Sequence, residues 1–125
     1  MLYAFREEGE LADDIALKIA CGFGAGMARK EELCGAISGG ILVLGLRYGR
    51  GVNDDRSATE VTYLKTRALM DLFSKKHGTF MCRELLNGCE LTTEEGQKYF
   101  RENELLKKTC IPCVQSVVEI LERIL

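Results

Sequence analysis

The sequence contains no tryptophan, one histidine (His77) and one proline (Pro112). Histidine-based chemistry therefore has little material. An excess of basic charge is lacking too: the net charge is −2, which leaves no electrostatic footprint for nucleic acid. The uncharged stretch Gly35–Leu46 falls well short of the ~20 residues of a membrane span, so none is expected. The opening MLYAFREEGELADD has no basic region, and its apolar patch is too short for a signal peptide; the chain reads as cytoplasmic. Period-two alternation, linkers and internal repeats are also missing.

What is present is helical periodicity. A hydrophobic fraction of 46% and a charged fraction of 29% over 125 residues fit one soluble domain, 1–125, with a single core. Leu11, Ile15 and Ile19, with Ala12 and Ala16, fall at helical spacing, and Gly22 is a natural stop. After the glycine-rich connection GFGAGMARKEE, a second helix is expected over roughly 30–48, with Leu33, Ile37, Ile41 and Leu44 along one face. Glu31 and Glu32 would suit its first turn through the helix dipole. Ser57 with Glu60 forms a capping box opening a long helix whose stripe is Val61, Leu64, Ala68 and Leu72, flanked by Leu69 and Phe73. Gly78 stops it. A short helix follows Thr79 and ends at Gly88, and another follows the capping pair Thr92 and Glu95. Thr109 is expected to cap a last helix carrying Val114, Val117, Leu121 and Leu125, with Pro112 harmless in its first turn. The expected class is all-α, a compact bundle of about five to six helices.

Glycine is abundant where a helix should avoid it. Gly35, Gly39, Gly40 and Gly45 each cost the second helix ~1 kcal/mol against alanine. Small residues four apart (Gly35 and Gly39, Ala36 and Gly40) permit close approach. One account is tight helix crossing, inside the fold or across a homodimer; the other is room for a cofactor beside Cys34. The stretch GFGAGM is not a nucleotide loop, because Gly22, Gly24 and Gly26 do not match G-x-G-x-x-G and a helix, not a strand, precedes them.

Six cysteines carry the remaining signal. In a reducing cytoplasm such a number points to redox or metal groups more than to structural disulfides. The pair in CIPC, Cys110 and Cys113, has the spacing that closes a redox disulfide or clamps a soft metal from one helical turn. A helix N-terminus and the neighbouring Lys107 and Lys108 would favour a thiolate at Cys110. Cys82 shares a face with Leu85 and Leu86, and Cys89 and Cys21 read as core. His77 reads as a capping or surface residue, with a site made of Cys82, Cys110, Cys113 and His77 as the less favoured alternative.

The stretches GFGAGMARKEELCGAISGGILVLGLRYGR, HGTFMCRELLNGCEL and CIPCVQSVVEILERIL together resemble the C_GCAxxG_C_C family of redox-active proteins, whose hallmark CGAxxG stands here as Cys34–Gly39. The resemblance covers nearly the whole chain. By position it implies Cys34, Cys82 and Cys110 as the family cysteines, with Cys113 additional. It also implies a further cysteine ahead of LYAF, where this sequence begins too late to contain it: either the start is truncated or misassigned, or this member lacks one ligand, for which Cys113 or Cys89 could substitute. The resemblance further implies a thiolate-held prosthetic group, such as an iron–sulfur cluster, and a partner associated with an oxidoreductase or transporter.

Three functions are therefore expected in competition. The leading one is a redox protein in which Cys34, Cys82, Cys110 and Cys113 hold an iron–sulfur or other soft metal centre for electron transfer, with Cys34, Gly35 and Gly39 lining the cofactor. The second is metal-free thiol–disulfide chemistry, with Cys110 attacking and Cys113 or Cys34 resolving. The third is a non-catalytic, dimeric helical accessory module.

Overall fold

The computed structural model describes residues 1–125 as an all-α fold. Six right-handed helices follow one another: α1 (Asp13–Ala20), α2 (Gly35–Tyr48), α3 (Ser57–His77), α4 (Cys82–Leu85), α5 (Glu94–Glu102) and α6 (Ile111–Ile124). The only extended pairing is an isolated antiparallel bridge between Leu33 and Met81. No helix is long and apolar enough to cross a membrane.

The main core lies where α2, α3 and α6 cross. Ile37, Val43 and Leu44 of α2 meet Leu69 and Phe73 of α3 and Val117, Ile120 and Leu121 of α6. Because α2 is buried on most of its circumference, its glycines serve close packing. A Cβ on Gly40 would stand 2.8 Å from Leu69 Cδ2 and 2.9 Å from Val117 Cγ1; one on Gly39 would stand 2.5 Å from Met1 Cβ. Tight crossing inside the fold therefore accounts for Gly39 and Gly40, whereas Gly45 faces open space.

Local signals placed most helix ends well. Gly78 closes α3 in the left-handed conformation at φ 82°, and its N–H donates to the Ser74 carbonyl. Thr93 caps α5 by accepting the Gly96 N–H at 2.9 Å, one residue after the expected Thr92. Four expectations need correction. Residues 30–34 are not helix, so α2 begins at Gly35. Ser57 does not cap α3; its own N–H donates to Asp55 Oδ1 at 2.6 Å. The stripe of α3 is turned, since Leu64 is 60% exposed while Leu69 and Phe73 are fully buried. On α1, Ala16 is the buried residue, and Ile15 and Ile19 are about half exposed. Periodicity marks a helix but leaves its rotation to the neighbours it meets.

A satellite cluster of Cys82, Leu86, Cys89 and Leu91, with Phe100, Leu105 and Cys110 against it, sits beside the main core. The functional candidates lie between the two.

Candidate functional site

The site is built on the segment before α2. Ala25 (φ 53°), Gly26 (67°), Met27 (67°), Ala28 (54°) and Arg29 (69°) form a run in the left-handed region. Each of the four non-glycine residues there costs roughly 1–2 kcal/mol. The run closes with the Ala28 N–H donating to the Gly24 carbonyl at 2.9 Å and the Glu32 N–H to the Gly26 carbonyl at 2.9 Å.

The chain then pairs with residues 80–83. Cys34 N–H donates to the Phe80 carbonyl at 2.9 Å, Cys82 N–H to Glu32 at 2.7 Å and Arg83 N–H to Glu31 at 3.0 Å. Glu31, 4% exposed, directs its carboxylate inward, accepting the Leu91 N–H at 2.7 Å and standing 3.8 Å from Arg83 Nε. These ties bring Cys34 and Cys82, remote in sequence, to adjoining positions.

A mainly apolar cavity of about 490 Å³ opens there, with Cys34, Cys82 and Cys110 on its wall. Cys113, 1% exposed in the first turn of α6, lies against Cys34. Leu86, Leu91, Phe100 and Val114 supply apolar lining; Arg29 and Arg101 are the only charged residues on it.

The four thiols are not equivalent. Cys34 is lowered to about 6, first by the hydrogen bond from Cys113, then by the backbone N–H groups of Ala36 and Ile37, against the opposing effect of burial. Cys34 stands at the helix start with ψ 130°, near the N–H groups of Ala36 and Ile37 in the first turn of α2, though its side chain makes no capping hydrogen bond. Its partner Cys113 moves upward, because it keeps the shared proton and is buried. Burial pushes Cys82 up to about 12, reinforced by the charge of Cys34. Cys110 is raised by burial and by Cys34.

The helix-start argument thus applies at Cys34 and not at Cys110. Residues Leu106–Cys110 make a turn of π-helix running straight into α6, and the Ile111 N–H already donates to the Leu106 carbonyl. Thr109 lies inside this turn and caps nothing. Of the other residues singled out in the sequence, Gly35 lines the cavity, and a Cβ there would stand 2.9 Å from the Phe23 carbonyl oxygen. Gly39 faces Met1. Cys89 sits in the satellite cluster with its thiol donating to the Gly96 carbonyl at 3.2 Å, and Cys21 is exposed. His77 stacks on Phe73 and hydrogen-bonds Ser116 at 2.8 Å, away from the cavity wall.

Thiolates in an apolar cavity are suitable donors for a soft metal. The arrangement is not a cage, however: no three Cys, His, Asp or Glu side chains converge closely enough to hold an ion. Sequence reasoning missed Arg29, Arg101 and Glu31. The acidic pair at 31–32 was visible, but nothing local marks one of the two as buried.

No curated protein and no solved structure matches the chain. One family model, described as "Putative redox-active protein (C_GCAxxG_C_C)", matches residues 1–124. The chain belongs to the C_GCAxxG_C_C family of redox-active proteins.

Proposed function

We propose that this chain is a dithiol redox protein in which Cys34 is the attacking thiolate and Cys113 the resolving thiol. The observation that carries the reading is the placement of Cys34 at the start of α2, in contact with Cys113 and open to an apolar cavity. The Cys34 thiolate attacks one sulfur of a disulfide, forming a mixed disulfide and releasing the other half as a thiolate. Cys113 then loses its proton and attacks the Cys34 sulfur; the Cys34–Cys113 disulfide forms and the second half leaves as a thiol. The substrate disulfide is reduced by two electrons and the protein dithiol is oxidised by two. A dithiol of this kind works in a compartment that reduces it again, which favours the cytoplasm, with a thiol-reducing protein as partner.

A specific observation also favours a second reading. Cys82 and Cys110 share the cavity with Cys34, so a soft metal or iron–sulfur centre held by Cys34, Cys82, Cys110 and Cys113 would have three of its four donors on one wall, with Cys113 buried behind Cys34. Such a centre, when bound, supplies one-electron transfer. The donors would have to close together to form it, and the dithiol reading requires no such movement.

One experiment separates the two. Protein purified without oxygen is analysed for iron and zinc, and its thiols are counted. After one equivalent of an organic disulfide, the digest is mapped by mass spectrometry. The dithiol reading expects metal-poor protein and a peptide linking Cys34 to Cys113. Stoichiometric iron with visible absorption, or absence of that linked peptide, overturns it.

A further inference from the structure

The cavity has a charge pattern that the dithiol chemistry does not use. The chain is acidic overall, with 19 Asp and Glu against 17 Lys and Arg. Yet no carboxylate lines the cavity, and both charged residues on it are arginines. Neither the Arg29 nor the Arg101 guanidinium has an ion-pair or hydrogen-bond partner, although seven other ion pairs form in the chain. The nearby buried acid, Glu31, is engaged by the Leu91 N–H and Arg83. Gln97 is likewise committed, donating to the Leu91 carbonyl at 2.9 Å. The two guanidiniums are therefore the uncommitted polar groups of an otherwise apolar wall.

Their backbone placement is specific. Arg29 is carried on the left-handed run, at φ 69°, and Arg101 on the last turn of α5, so two separate elements deliver cations to one opening. A volume of about 490 Å³ lies within the range of small-molecule sites. Planar guanidiniums suit carboxylates through paired N–H donors. Leu86, Leu91 and Phe100 suit a hydrocarbon or aromatic body.

Resting on the dithiol reading, we propose that the cavity binds a small disulfide bearing carboxylates, its acid groups held by Arg29 and Arg101 and its apolar body against Leu86, Leu91 and Phe100, with a sulfur presented to Cys34. The bound molecule is cleaved by the balanced exchange given above. Its charge, not its sulfur chemistry, distinguishes it from other disulfides.

The probes are dithionitrobenzoate, an aromatic disulfide with one carboxylate on each ring, and dithiodipyridine, its uncharged counterpart. Reaction at Cys34 is followed by quenching and quantifying the loss of the free Cys34 peptide, to adduct and to the Cys34–Cys113 bridge together, which separates it from exposed Cys21. The ratio of the two rate constants is divided by the same ratio for glutathione. The expected value is about five- to tenfold above one, falling towards one in the R29Q/R101Q double variant and below one in R101E. A normalised ratio within about twofold of one, or one unchanged in the double variant, overturns the proposal. Uncharged iodoacetamide, applied to the unsubstituted protein, keeps the two levels apart. Slow alkylation of Cys34 sinks the dithiol reading beneath the proposal. Fast alkylation without a charge preference sinks the proposal alone. Far-UV circular dichroism and a melting curve confirm that each variant is folded before its ratio is used.

Discussion

The carboxylate of Glu31 accepts the backbone N–H of Leu91 at 2.7 Å, joining the segment before α2 to the segment before α5. Both ends of this bond are buried, Glu31 at 4% and Leu91 at 5% exposure. It holds two walls of the cavity together from behind.

Replacing Glu31 with alanine leaves the Leu91 N–H without an acceptor, at a cost of about 1–3 kcal/mol. Glu31→Gln keeps an acceptor oxygen and should lose less. Urea unfolding of both variants measures the difference. Equal destabilisation by the two substitutions would mean that the carboxylate charge, and not the bond to Leu91, is what matters.

The left-handed run should respond oppositely to two small changes. At Gly26 (φ 67°) an added Cβ would stand 2.7 Å from both Cys82 Cβ and Glu31 Cα. Gly26→Ala should therefore destabilise by about 2 kcal/mol or more through strain and overpacking. Ala28, at φ 54°, already bears the left-handed cost, and Ala28→Gly should stabilise by about 1 kcal/mol. Thermal unfolding of the pair tests this; a loss of stability in Ala28→Gly would contradict the backbone described.

The depressed Cys34 thiol fixes a pH dependence. Alkylation of Cys34 by iodoacetamide should rise with pH about a midpoint near 6, where an ordinary thiol has its midpoint at about 8.5. In Cys113→Ala the first cause of the depression is gone, so the midpoint should move upward. Stability follows with a defined sign. Between about 6 and about 8.5 the unfolded chain keeps a proton on Cys34 that the folded chain has released, so stability rises with pH across that window and falls as pH drops through 6. Cys82, pushed up to about 12, acts above it: from about 8.5 upward only the unfolded chain ionises there, and stability falls. Unfolding curves against pH should show the lower slope in the unsubstituted protein and not in Cys34→Ser.

The roles assigned to the three cavity cysteines and to buried Cys113 predict separable phenotypes. Cys113→Ala should trap the mixed disulfide at Cys34, visible as a stable adduct after one equivalent of organic disulfide. Cys82→Ala and Cys110→Ala should still form the Cys34–Cys113 bridge. Loss of that bridge in either of the last two variants would show that the working unit is larger than a dithiol.

The helices themselves, and several of their ends, are local matters. Gly78 ends α3 because a residue without Cβ takes the left-handed conformation cheaply, and Pro112 is tolerated in the first turn of α6. Neighbours along the chain suffice for such decisions, so the all-α class was legible before any coordinates, as was the CGAxxG segment. Arg29 and Arg101 could be seen in the sequence, but only folding brings them to one opening. Leu64 and Leu69 are equally apolar, yet only Leu69 faces α2 and α6, because the rotation of a helix is set by what packs against it. The thiolate shows the same division most clearly. From the sequence Cys110 reads as lying at a helix start, and Cys34 as lying inside the helix expected from about residue 30. Tertiary structure extends the helix backward through Leu106–Cys110, using the N–H group after Cys110, while it leaves the first-turn N–H groups of α2 near Cys34 and brings Cys113 against it. Free N–H groups and a neighbouring sulfur belong to the assembled fold, and no rule confined to adjacent residues contains them.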